Sequence, residues 1–210
     1  MNRRHFAIAM AVTPLMAKFV HAATEVVQGK DYLELPTPMP VAVAGKIEVI
    51  EFFGYWCPHC NELEPKLEPW VKALPASVNF RRIPVAWQDG HIPYQKLFYA
   101  LEAMGASIDI HQRVFKAVHE QHLPLGSEAA LATFATAIGV DRVKLAEAMK
   151  GFSVSSKLGI ANQQAKSYQI EGVPTLVVNG RYATSPEMAK GDVQALRVVD
   201  ALIQRTKLQR

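Results

Sequence analysis

The two cysteines of this 210-residue chain lie within one four-residue motif, Cys57-Pro58-His59-Cys60, directly behind the apolar run Ile47 to Phe53. Two thiols at this spacing, where a strand runs into a helix, are suited to thiol–disulfide exchange. Proline fits the first helical position, because an N–H there would have no helical partner. Histidine can place positive charge beside a thiolate and lower the cysteine pKa. With Cys57 as helix N-cap, its sulfur faces the N–H groups of residues 59 and 60 and the positive end of the helix dipole. These interactions favour the thiolate and leave the disulfide unaided. A Cys57 pKa about two units below ambient pH would stabilise the reduced form by about 2.7 kcal/mol, or about 60 mV. Such a disulfide is given away rather than kept. Cys60, one turn into the helix, is expected to be more buried and to act as the resolving thiol.

Two other chemistries are weaker on these residues. As a structural staple, a bridge closing four residues contributes only about 2 kcal/mol, and a loop this tight is readily reduced. As a zinc site, the pair lacks a second ligand pair. His119-Glu120-Gln121-His122 offers imidazoles, but at a spacing that reads as a solvated helix face. No metal and no bound cofactor is expected, since the dithiol itself carries the electrons.

The elements that must position the motif follow from periodicity. Residues 31–35 read as an edge strand, and 46–53 as a strand buried on both faces, as in a parallel centre. Leu63, Leu67, Trp70 and Leu74 mark an amphipathic helix from Cys57, with Pro65 and Pro69 predicting a kink or restart near Glu64. Residues 78–85 give another strand. Residues 93–168 carry helical stripes, such as Leu97 with Leu101 and His111 with Phe115. Gly105, Gly126, Gly139 and Gly151 fall near the breaks, where helix ends favour positive φ, and Ser127 and Asp141 suit N-caps. Residues 174–178 and 181–184 form a hairpin around Asn179-Gly180, and Val193, Leu196, Val199 and Ile203 mark a closing helix. The order β-β-α-β, helices, β-β-α completes one sheet only if the helical block is an insertion.

The first 22 residues read as an export signal rather than as part of the fold. Arg3 and Arg4 precede a short apolar core, and Val20-His21-Ala22 fits a cleavage site, with a cut after Ala23 also open. Arg3-Arg4 followed by Phe6 leaves both the general and the twin-arginine routes open. The leader holds three of the 23 basic residues and none of the 19 acids, leaving 20 against 19. That balance gives no reason to expect a nucleic-acid partner. Export to an oxidising space permits a lasting disulfide.

The segment Glu51-Phe52-Phe53-Gly54-Tyr55-Trp56-Cys57-Pro58-His59-Cys60 strongly resembles the active-site segment of the DsbA family of periplasmic thiol oxidases, and the similarity extends to Gly172-Val173-Pro174-Thr175. The resemblance implies an α/β, thioredoxin-like fold with an inserted all-helical domain: residues 23–89 and 169–210 as the thioredoxin-like part, 90–168 as the insertion. It implies Cys57 as exposed nucleophile, His59 as its stabilising partner, and a cis-proline at Pro174 facing the cysteines, with Val173 and Pro174 holding substrate peptide as an added strand. An ordinary strand start is the plain alternative for that pair. It further implies a periplasmic monomer that passes its disulfide to reduced, unfolded exported proteins and is reoxidised by a DsbB-like quinone-linked membrane protein.

Glu51 is an acid inside an apolar strand, which is costly without a partner, water or a task. It resembles the buried acid beneath thioredoxin-like active sites, so a proton relay to Cys60 is one expectation. A carboxylate reaching solvent or a lysine is the other. Trp56 either lines the peptide groove or caps the core. Two further functions stay open at this point: a disulfide isomerase or reductase, and a peptide-binding chaperone with incidental cysteines.

Overall fold

A computed structural model describes residues 25–125 and 127–209. The expected signal segment 1–22, residues 23 and 24, and Gly126 lie outside the described residues.

Among the described residues, five strands form one mixed sheet in the order β1-β5-β4-β2-β3. At its centre is β2 (Ile47–Phe53), buried at all seven positions. It pairs in parallel with β3 (Val78–Pro84) and antiparallel with β4 (Thr175–Val178), so the centre is mixed rather than wholly parallel. β4 continues antiparallel to β5 (Tyr182–Thr184), which holds the short edge strand β1 (Leu33–Glu34). The β4–β5 turn has Asn179 and Gly180 both at positive φ, 52° and 63°, the pairing a two-residue hairpin requires. Gly180 is doubly constrained: a Cβ there would stand 2.1 Å from the Met39 carbonyl oxygen.

Alternation along β2 divides the core. Ile47 and Val49 pack with Leu176 and Val178 beneath α1 (Pro58–Lys72) and α8 (Asp192–Leu208), through Leu63, Leu67, Val199 and Leu202. Ile50 and Phe52 face the other way, into a core shared with the helices that separate β3 from β4. Those are α2 (Ile92–Ala103), α3 (Ile108–His119), α4 (Glu128–Ile138), α5 (Arg142–Lys150) and α6 (Phe152–Ser167). A short α7 (Pro186–Ala189) precedes α8. This is a thioredoxin-like sheet interrupted by helices, which pack mainly on one another and share a continuous set of buried residues with one face of the sheet.

Ser127 and Asp141 cap α4 and α5 through side-chain oxygens that accept backbone N–H bonds. Gly139 ends α4 at φ 76°. Gly151 departs from expectation: at φ −65° and ψ 146° it both ends α5 and opens α6. The restart expected near Glu64 is absent too, and α1 runs unbroken through Pro65 and Pro69. Burial of Leu63 and Leu67 on one face, at about 1.5–3 kcal/mol per fully buried leucine, offsets the hydrogen bonds the two prolines remove.

Candidate active site

Strand β2 delivers the chain through Gly54-Tyr55-Trp56 to Cys57, the N-cap of α1 at φ −89° and ψ 120°, with Pro58 in the first turn. Gly54 is needed for this approach, since a Cβ there would stand 2.5 Å from Trp56 Nε1. Both cysteines are free thiols, Cys60 fully buried and Cys57 only 4 % exposed. Cys57 is therefore far less open than the resemblance implies, because the loop before β4 covers it. Its Sγ donates to the Val173 carbonyl at 3.3 Å, and the Val173–Pro174 peptide is cis.

The Cys57 thiol is lowered to about 6. The largest cause is the hydrogen bond from the Cys60 thiol; burial opposes it; the N–H groups of Cys60 and His59 follow, and the His59 charge comes after them. The backbone donors are where the N-cap geometry placed them. The leading donor, Cys60 itself, is one the sequence reading missed. Cys60 is held well above its ordinary range by burial, then by donating to Cys57. His59 is open to solvent and lies 3.1 Å from Glu62 Oε2, which raises its pKa. Its charge is shared with that carboxylate, so less of it reaches the sulfur.

Beside the cysteines runs a groove of about 700 Å³, lined by His59, Val173 and Pro174 together with Leu33, Ile170 and Met188. Trp56 lies outside it. Its ring stacks on His91 at 3.7 Å, and its Nε1 donates to the Val85 carbonyl at 3.1 Å. The expectation of Trp56 as groove lining is corrected by this hydrogen bond, which ties the ring to the β3 side of the motif. Of the two histidines expected on a solvated face, His122 is exposed, whereas His119 is half-buried and its Nε2 donates to the Tyr55 carbonyl at 2.8 Å.

Beneath the motif, Glu51 reaches neither solvent nor a lysine. It is fully buried, and Oε2 accepts from Arg82 Nε at 2.9 Å while Oε1 has no hydrogen-bond partner among the described residues. Arg82 also donates to Glu64 at 3.1 Å and to Glu68 at 3.4 Å. Lys72 approaches Glu68 at 3.5 Å. Three buried carboxylates thus face one buried guanidinium and one exposed ammonium, a balance that favours keeping a proton in the cluster. Burial above all raises Glu51 to about 8 and Glu64 to about 7, with Arg82 opposing in each case. Arg82, Glu64 and Glu68 were missed from sequence. The signal was there: a buried acid in one strand asks for a cation in the next, and Arg81-Arg82 lies in β3 with Glu51 opposite Arg82.

Replacing Arg82 with alanine leaves three buried acids sharing one exposed ammonium. Unfolding free energy should fall by about 3–5 kcal/mol. The folded pKa values of Glu51 and Glu64 would rise further above their unfolded values, so the loss grows as pH rises. Urea titrations at pH 5 and pH 8 check this, and an equal loss at both would count against the shared-charge account.

A mixed sheet carrying a C-x-x-C at the N-cap of α1, under a cis-proline loop, defines a thioredoxin-fold dithiol oxidoreductase. The chain belongs to the DsbA family: residues 78–202 match the family model described as DSBA-like thioredoxin domain, a span that begins beyond the cysteines and so supports the assignment independently of them. It is similar to the thiol:disulfide interchange protein DsbA of Burkholderia cepacia, 42% identical over 180 residues and 85% of each chain. The corresponding protein of Bordetella parapertussis is 40% identical over 96% of this chain and 94% of its own. The crystal structure of Pseudomonas aeruginosa DsbA superposes with a TM-score of 0.83 at 39% identity, covering 86% of this chain and 94% of that one. The chain is accordingly a thiol–disulfide oxidoreductase with oxidase function.

Proposed function

We propose that the chain is exported to the periplasm after cleavage near Ala22, where it acts as a monomer that donates the Cys57–Cys60 disulfide to reduced, unfolded proteins. A substrate thiolate attacks Cys57, forming a mixed disulfide and expelling Cys60 as a thiolate. A second substrate thiol then attacks the substrate sulfur and releases Cys57, which leaves as a thiolate because its pKa lies near 6. Reoxidation falls to a DsbB-like quinone-linked membrane protein. Pro58 starts the helix, the backbone N–H groups of His59 and Cys60 hold the thiolate, and the Val173–Pro174 loop holds the peptide. The observation that carries this reading is the placement of the two thiols: Cys57 at the N-cap of α1 against the Val173 carbonyl of the cis-proline loop, and Cys60 fully buried one turn in. The test is to equilibrate the protein with glutathione. A potential as reducing as that of cytosolic thioredoxins, about −270 mV, would reverse the proposed direction.

Glu51 is assigned the proton of Cys60. Expelled inside a dry site, the Cys60 thiolate needs an acid close at hand, and a carboxyl held to about 8 is still protonated at neutral pH. Glu51→Gln keeps shape and hydrogen bonding but cannot hand over a proton. Alkylation of Cys60 against pH should then shift its midpoint by about one unit or more, and an unchanged profile would remove Glu51 from the reaction.

A further inference from the structure

His111 and Tyr55 are buried, polar and unused by the chemistry above. Tyr55 Oη lies 2.6 Å from His111 Nδ1. Burial holds the tyrosine well above its ordinary pKa and the imidazole well below, Arg82 adding to the second effect. The hydroxyl therefore keeps its proton and donates it to Nδ1, which places the ring proton on Nε2. That atom has no hydrogen-bond partner among the described residues and stands 3.6 Å from Glu64 Oε2, just beyond bonding distance. The ring itself is clamped by Phe53, Phe98 and Phe115.

A cavity of about 320 Å³ ends on this pair. Tyr55, His111 and Arg82 line it, with Phe98 along its wall and Glu102 and Ser107 as further lining residues on the helical side. It shares no lining residue with the peptide groove. The charged and titratable groups around His111 are Glu64 and Glu68 from α1, Arg82 from β3 and Tyr55 from the motif loop, with Glu51 of β2 one step further along Arg82.

We propose that this cavity is the proton entrance of the buried carboxylate cluster, with His111 relaying between it and Glu64, so that Cys60 can be supplied while substrate covers the groove. The inference rests on Glu51 being the donor to Cys60. When the Cys57–Cys60 bond breaks, its electron pair leaves on the Cys60 sulfur, which takes the Glu51 proton and leaves a carboxylate. Glu64, on the same guanidinium, receives the Nε2 proton of His111 and passes one to Glu51. Tyr55 gives its hydroxyl proton to Nδ1 in the same movement, and water in the cavity restores the hydroxyl. One proton enters from solvent, one ends on Cys60, and the imidazole is never cationic. Exchange of the ring protons with cavity water returns the first tautomer.

The test is single-turnover reduction of the oxidised protein by a cysteine-containing peptide, followed by tryptophan fluorescence in H₂O and D₂O, with the Cys57 titration as a check on the fold. His111→Phe keeps an aromatic ring among Phe53, Phe98 and Phe115 but cannot relay; the rate should fall about ten-fold or more, with a solvent isotope effect emerging. Ser107→Trp, which adds bulk at the cavity and removes no capping bond, should slow the reaction in the same way. In His111→Ala, added imidazole should restore the rate, whereas pyrazole, equal in shape but far less basic, should not. Rates near wild type without an isotope effect in both the His111→Phe and Ser107→Trp variants would overturn the entrance, and equal rescue by pyrazole would reduce His111 to packing. If Glu51→Gln moves the Cys60 profile while these variants do not, the entrance falls and the Glu51 donor stands. If Glu51→Gln moves nothing, both fall.

Discussion

Cys60→Ser will accumulate a mixed disulfide at Cys57 when given an activated peptide disulfide, whose other half leaves as a thiol, while Cys57→Ser will form no adduct at all. The asymmetry follows from position. Cys57 caps α1 directly under the Val173 loop and keeps slight exposure, whereas Cys60 is fully enclosed one turn deeper. Only the first sulfur can meet an incoming thiolate, and only its ionised form leaves readily. Once Cys60 is serine, an adduct formed at Cys57 from an activated substrate disulfide cannot be resolved internally. Mass spectrometry of the non-reduced protein after mixing with a single-cysteine peptide disulfide reads the outcome directly. The adduct should approach full occupancy in the first variant and be undetectable in the second. Adduct on Cys60 in the Cys57→Ser protein would contradict the burial difference on which the assignment of roles depends.

The second large effect concerns what holds the thiolate. Thiolate absorbance in the reduced protein should titrate with a midpoint of about 6. Cys60→Ala removes the leading donor, and a hydrogen bond to a charged group contributes about 1.5–3 kcal/mol, so the midpoint should climb by about one to two units. His59→Ala should move it less, because the imidazole is solvated and paired with Glu62 while the backbone N–H at position 59 survives. A larger shift from His59 than from Cys60 would reverse the ranking.

The same lowered pKa links to stability with a definite sign. Cys57 ionises more readily folded than unfolded, where a thiol sits near 9.0. Its contribution is full above about pH 9, falls as pH drops, and is gone below about pH 6. The full span is about 4 kcal/mol, but at pH 7 only about 1.4 kcal/mol is realised, equivalent to about 30 mV toward oxidation. That is half of what a thiolate two units below ambient pH would give. Anaerobic urea unfolding of reduced wild type against Cys57→Ser should show the difference widening from pH 6 to pH 9.

Much of this molecule is legible along the chain because it is local. The C-P-H-C motif, the apolar β2 strand, the Asn179-Gly180 turn and the caps Ser127 and Asp141 rest on interactions within a few residues, and each formed where its pattern stood. The backbone donors at the start of α1 belong to the same class, since any helix N-terminus offers them. Where local rules failed, distant packing won. Pro65 and Pro69 did not break α1, because its buried face is fixed by residues far along the chain.

What only the tertiary structure decided are contacts between segments that have no shared period. Arg82 joins Glu51, Glu64 and Glu68 across a strand pair and a helix. The loop at Val173 closes over Cys57, 116 positions earlier in the chain. Trp56 turned to His91 and Val85 rather than to the groove. The types of residue fix which chemistry is available, because a thiol or a carboxylate is what it is wherever it lands. Their pKa values depend on how much water is excluded and which charges stand within a few ångströms, and those quantities exist only once the chain has closed on itself.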